Sequence, residues 1–98
     1  MILVIDVGNT HTVLGGFRDD TLSFVARIAT NAAETGDEYA TKLQSVLAIH
    51  EVDKSQIQGA IISSVVPPLN AAIKKAVRFV YGVEPILVGP GIKTGINI

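Results

Sequence analysis

Ile2-Leu3-Val4-Ile5-Asp6-Val7-Gly8-Asn9-Thr10-His11-Thr12-Val13-Leu14-Gly15-Gly16-Phe17 is the stretch from which the fold of this chain is read. Ile2 to Val7 is a run of β-forming residues without polar alternation, the pattern of a strand buried on both faces. Gly8-Asn9-Thr10 interrupts it, and Thr12 to Phe17 resumes as a second strand. Asp19-Asp20 makes a short polar turn, after which Leu22 to Ile28 reads as a third strand. Turns this short force antiparallel neighbours, so the three strands form a meander.

Beyond Thr30 the apolar period changes. Thr35-Gly36-Asp37-Glu38 fits a capping box, in which the threonine hydroxyl and the glutamate carboxylate satisfy each other's free backbone N–H groups. Tyr39, Leu43, Val46, Leu47 and His50 follow at helical spacing and mark one buried stripe. Asp53 to Gln58 is a polar connection, and Ala60 to Val66 is the next buried strand, stopped by Pro67-Pro68. Proline is tolerated in a helix's first turn, where its missing N–H would be unpaired anyway. Leu69, Ala72, Ile73, Ala76, Val77 and Val80 then trace a second amphipathic helix, with Gly82 as its cap. Lys74, Lys75 and Arg78 form its solvated face, toward the end where the dipole favours cations. Pro85 to Val88 is a fifth, short strand, followed by a glycine-rich loop from Gly89 to Gly95. The order is β-β-β-α-β-α-β. Strand–helix–strand crossovers are right-handed and give parallel neighbours, so parallel strands add beside the first. The expected fold class is α/β, a mixed five-stranded sheet covered by helices.

Composition narrows the function. Eight Lys plus Arg against nine Asp plus Glu give a net charge of -1 and no basic field, which argues against nucleic acid as a partner. The absence of cysteine excludes a disulfide framework, a thiolate zinc site and a cysteine nucleophile. His11 and His50 are too far apart in sequence to suggest a histidine metal cage. The longest apolar run, Met1 to Ile5, is far short of the roughly 20 residues that span a bilayer, and it lacks the basic head of a signal peptide. A soluble intracellular protein with no membrane partner is expected. At 98 residues the chain is one domain, yet 48% of its side chains are apolar and its mean hydropathy is +0.43. Either that surface meets a partner or the chain belongs to something larger.

Asp6 is the anomaly in its strand. An unpaired carboxylate near the end of an otherwise apolar strand is costly to bury. The turn that follows can cradle an anion through successive N–H groups, and glycine lets a ligand approach the backbone closely. Thr10 and Thr12 add hydroxyl donors, His11 falls within the same turn, and Asp6 is placed to hold magnesium through water against the same phosphates. A plain β-turn, with Asp and Asn bonding backbone amides, explains the segment equally well. Gly89-Pro90-Gly91-Ile92-Lys93-Thr94-Gly95 matches neither the Walker pattern nor the dinucleotide fingerprint. It follows a strand end in an α/β sheet, so it reads either as a substrate-pocket lining or as an ordinary loop. Ser63 and Ser64 lie near the end of a strand expected beside the first; serines there more often bond backbone than ligand. No His–Asp pair makes either of them a nucleophile. His50, Tyr39 and Tyr81 read as packing residues.

Taken together, four stretches resemble the type III pantothenate kinases. They are Ile2 to Thr10 with Thr12-Val13-Leu14-Gly15; Asp37-Glu38-Tyr39; Ile61-Ile62-Ser63-Ser64-Val65-Val66-Pro67-Pro68-Leu69; and Val88 to Gly95. The first alone indicates only the wider superfamily of sugar and acetate kinases, heat-shock chaperones and actin. All four in register are specific, and they run through essentially the whole chain. The resemblance implies an actin-like ATPase half, ribonuclease H-like, over residues 1–98, with the second half of the family fold absent. It implies ATP-dependent phosphorylation of pantothenate, the first step of coenzyme A synthesis, in a cytoplasmic homodimer that uses magnesium and a monovalent cation, potassium or ammonium.

On the same resemblance Asp6, Val7, Gly8, Asn9, Thr10, His11, Thr12 and Val13 fall on the ATP-phosphate loop, with Asp6 as the metal-associated aspartate. Gly89, Gly91, Lys93, Thr94 and Gly95 are a candidate substrate-pocket loop from their place after a strand end. Family members are substantially longer. Their pantothenate-binding, proton-accepting aspartate lies in a Gly-Ala-Asp-Arg motif beyond the position of Ile98, as do the residues for adenine and the monovalent cation. No residue of this chain is therefore assigned as catalytic base, and alone the chain is expected to be inactive. The alternative is a non-catalytic nucleotide-binding or regulatory module. His11 stands where many members carry asparagine.

Overall fold

Leu3, Ile5 and Val7 are buried on one face of the first strand and Val4 among its neighbours' side chains on the other, which is why its sequence does not alternate. The computed structural model describes residues 1–89. The first strand, β1 (Ile2–Val7), is the centre of a five-stranded sheet. It is followed by β2 (His11–Arg18), β3 (Thr21–Ala29), α1 (Gly36–Ile49), a single 3-10 turn (Lys54–Gln56), β4 (Gly59–Ser64), α2 (Pro67–Tyr81) and β5 (Ile86–Val88). The sheet order is β3-β2-β1-β4-β5. β1 and β2, and β2 and β3, pair antiparallel; β4 joins β1 in parallel, and β5 joins β4 in parallel. The element order and the mixed sheet expected from the sequence are both present.

The crossovers decide where the helices lie. From β3 to β4 and from β4 to β5 the chain steps the same way across the sheet, so two right-handed connections put α1 and α2 on one face. There they pack on each other and on Leu3, Ile5, Val7, Leu14, Phe24, Ala60 and Ile62. The opposite face carries no element of the described residues. On it Val4 and Val13 are buried with Phe17 against them, while Ile2, Leu22, Val25 and Ile86 remain exposed.

Local chemistry fixes the ends of the elements. The Thr35 Oγ1 accepts from the Glu38 N–H at 3.2 Å, and the Glu38 Oε1 accepts from the Thr35 N–H at 2.9 Å, closing the capping box on α1. Gly82, with φ 67°, adopts the left-handed conformation that stops α2, and its N–H bonds Arg78 O at 2.9 Å. Gly16 gives the Phe24 ring its room, since a Cβ there would collide with it. His50 departs from the sequence reading. It is the exposed C-cap of α1, its ring stacked on Phe24 with centroids 5.2 Å apart. The helix ends one residue before it, so the apolar stripe stops at Leu47.

Candidate functional site

The carboxyl ends of β1, β4 and β5 gather at one end of the sheet, where open α/β sheets bind ligands. Asp6 is partly exposed there, one residue from the end of β1. Its side chain lies on the helix-free face, in a cross-strand row with Val13 of β2 and Ser63 of β4. The hydrogen bonds and ion pairs of the described residues include neither the Asp6 carboxylate nor the Ser63 hydroxyl.

The connection from β1 to β2 is a tight turn over Gly8-Asn9-Thr10. The Gly8 N–H donates to His11 O at 3.0 Å, and Thr10 O accepts from the Thr30 N–H at 2.9 Å. A Cβ on Gly8 would sit 2.9 Å from His11 O, so glycine is required by the turn itself. Asn9 and Thr10 are exposed, and among the described residues their N–H groups have no partner. These two amides, with the side chains of Asn9, Thr10 and His11, are what the turn offers an anion.

The eight residues expected at the phosphate loop thus fall into two groups. Asp6, Gly8, Asn9, Thr10 and His11 border the turn at the sheet end. Val7 and Thr12 point to the helix side and are buried, and Val13 is buried on the other face. The Thr12 hydroxyl lies 2.9 Å from that of Thr30, either one donating, and so supports the turn from beneath. Of the glycine-rich loop, Gly89 is exposed directly after β5; Gly91, Lys93, Thr94 and Gly95 lie outside the described residues.

Beneath the turn is a polar cluster that the sequence reading missed. Tyr39 is 1% exposed, and its phenol makes no hydrogen bond of good geometry. Burial raises its pKa; Thr12 nearby works in the opposite direction, and the Glu34 charge adds to the rise. Glu34 is itself buried, one carboxylate oxygen 2.6 Å from Lys42 Nζ and the other without a partner. A glutamate just ahead of a helix cap with a lysine two turns into the helix was the available signal.

The start of α2 lies beside the same strand ends, because the Val65 N–H donates to Val7 O at 3.0 Å. It offers no second anion cradle. The Val66 N–H goes to Ser64 Oγ at 3.0 Å, Pro67 and Pro68 have no N–H, and the Leu69 N–H goes to Val66 O. A shallow depression lined by Met1, Phe17, Arg18 and Gln58 lies at the far end of the sheet, away from this chemistry.

Residues 2–98 match the sequence profile of the type III pantothenate kinases. The chain belongs to this family. It is similar to the type III pantothenate kinase of Halalkalibacterium halodurans, with 47% identity over the whole of this chain and 39% of that protein. To that of Finegoldia magna it is 51% identical, over 98% of this chain and 37% of the relative. The chain therefore spans about two-fifths of the length of the curated pantothenate kinases it matches. Among solved structures, the ROK hexokinase of Thermus thermophilus aligns with a TM-score of 0.65 at 12% identity, over 90% of this chain and 34% of its own. The RuvC structure from the same organism aligns with 0.58 at 20% identity, over 91% and 61%. These likenesses show the fold: the actin-like, ribonuclease H-like sheet and helices of this kinase family.

Proposed function

We propose that this chain is the ATP-phosphate-binding, N-terminal part of a pantothenate kinase. The supporting observation is the turn after β1, with two unpartnered backbone N–H groups beside an unpaired aspartate at the carboxyl ends of parallel strands. The Asn9 and Thr10 amides hold phosphate oxygens, and Asp6 faces the same group. The reaction served is attack of the pantothenate hydroxyl on the γ-phosphate of ATP, whose demands are positioning and charge stabilisation.

Magnesium fits this donor set in one way only. No group of three or more His, Cys, Asp or Glu able to hold a metal exists among the described residues, so Asp6 would supply a single carboxylate to a hydrated ion. Phosphate oxygens and water would complete its shell, as is usual for this ion, and it would supply neutralisation of phosphate charge. The monovalent cation (potassium or ammonium), the homodimer and the cytoplasmic location rest on family resemblance. For the last, no helix of the described residues is long and apolar enough to cross a membrane. The balanced charge supports a protein without a nucleic-acid partner.

No described residue is placed as a general base, so the chain alone is proposed to bind nucleotide without turnover. ADP release is measured with Mg-ATP, potassium and pantothenate, with and without the remaining family segment. Turnover only on its addition supports the kinase reading. ATP bound without turnover in both cases favours a regulatory nucleotide-binding module.

A further inference from the structure

Two adjacent serines close β4, and only one has structural work to do. Ser64 faces the helices, is 6% exposed, and its hydroxyl accepts the Val66 N–H at 3.0 Å, shaping the turn into α2. Ser63 faces the other way. It is 5% exposed, its hydroxyl enters no hydrogen bond of the described residues, and it is not one of their fully buried unpartnered polar atoms, so it is free to turn toward a neighbour.

Register gives Ser63 its neighbour. It is the parallel partner of Asp6, and in-register residues on adjacent strands share one face. Neighbouring strands lie about 4.8 Å apart, so the two side chains start side by side and a hydroxyl on one can reach a carboxylate on the other. The other members of the row beside them, Val13 and Val88, carry no polar group. Ser63 is therefore the one donor directly opposite Asp6 on an adjacent strand; His11 of β2 lies on the same face but diagonally, at the exposed start of its strand.

We propose that Ser63 is a positioning residue for this site: absent from the unliganded chain, the bond from its hydroxyl to the Asp6 carboxylate forms when nucleotide binds, and it orients the other carboxylate oxygen toward the hydrated magnesium of that nucleotide. The proposal rests on the kinase reading above. It predicts that Ser63 acts on nucleotide affinity only when magnesium is present, because its effect passes through Asp6.

The test is calorimetric titration of the full-length polypeptide carrying this sequence with ATP, in magnesium and in EDTA. Ser63→Ala is expected to weaken ATP binding about tenfold in magnesium and less than twofold in EDTA, with the melting temperature unchanged. Ser63→Thr, which keeps the hydroxyl, is expected to restore most of the loss. Ser64→Ala is the structural control, expected to lower the melting temperature while leaving the affinity for Mg-ATP within twofold. Equal losses with and without magnesium, or wild-type affinity in Ser63→Ala, would overturn the role of Ser63 alone. If Ser63→Ala does not fold, Ser63→Cys takes its place under the same criteria. Absence of ATP binding in the wild-type polypeptide sinks the kinase reading first, and this proposal with it.

Discussion

Asp6 is one carboxylate on an otherwise apolar strand, and everything proposed for it depends on its charge rather than its shape. Asp6→Asn keeps the volume and removes the charge. In the full-length polypeptide it is expected to lower kcat/KM by about two to three orders of magnitude, the scale of losing one electrostatic contact to a transition state. The melting temperature should hold, since the side chain is partly exposed and makes no internal hydrogen bond. A variant with near-normal turnover would contradict the assignment.

Tyr39 presents the opposite case, a polar atom buried without a full partner. Deleting such an atom removes a desolvation cost and little else, so Tyr39→Phe is expected to be neutral or stabilising in urea denaturation. Its pKa, like that of Tyr81, is raised by burial. The folded state then holds its phenolic protons more tightly than the unfolded chain. Their contribution to stability is complete below the ordinary tyrosine pKa of about 10 and is lost as pH rises above it. Replacing both tyrosines with phenylalanine should flatten the alkaline limb of the stability profile, and an unchanged limb would mean the phenols are not protected.

At the scale of elements, α1 begins on a reciprocal pair of hydrogen bonds. Thr35→Ala is expected to cost about 1 kcal/mol in urea denaturation. Glu38 is exposed and its pKa is lowered, first by the backbone and then by the side chain of Thr35. Its contribution is therefore present above the unfolded glutamate pKa of about 4.3 and fades as pH falls through the depressed value. Glu38→Gln should be less stable than the parent at neutral pH, with the gap closing in acid. A constant gap would show that the carboxylate's charge is not what matters.

This box was legible from four letters, as was the proline start of α2, because local chemistry alone sets both; the strand before it ends at Ser64, short of the expected Val66, where the Ser64 hydroxyl takes the Val66 N–H. The unalternating run of β1 likewise announced a central strand. Three features were not legible. Which of Ser63 and Ser64 faces Asp6 depends on the register of β4 against β1, a non-local pairing that the apolar run Ala60–Ile62 leaves undetermined. Thr12 looked like a ligand donor beside Thr10, but strand alternation turns its hydroxyl under the turn to Thr30. The exposed cap at His50 was missed because helix ends depend on where the chain must turn, and the apolar period carried the reading one turn too far.

For the molecule as a whole, two crossovers in one direction cover one side of the sheet and leave the other apolar. Ile2, Leu22, Val25 and Ile86 stand exposed on that bare side. Such a patch favours self-association in water. Val25→Lys with Ile86→Lys places two charges on it and is expected to remove concentration-dependent association of the 98-residue chain in sedimentation velocity. Unaltered association would direct attention to Phe79 and Ile49, which are exposed on the helical layer.

The paired prolines at the head of α2 have a consequence for how charge is felt near the strand tips. A helix keeps the positive end of its dipole, roughly half an elementary charge, whether or not its first residues can donate. Here that end is a lure without a grip. It raises the local concentration of anions, and salt should weaken this attraction, while the choice of orientation falls to the hairpin on the far side of Asp6. A polyanion drawn to this end of the sheet would be clasped from one flank only, leaving its other flank open to whatever it must react with.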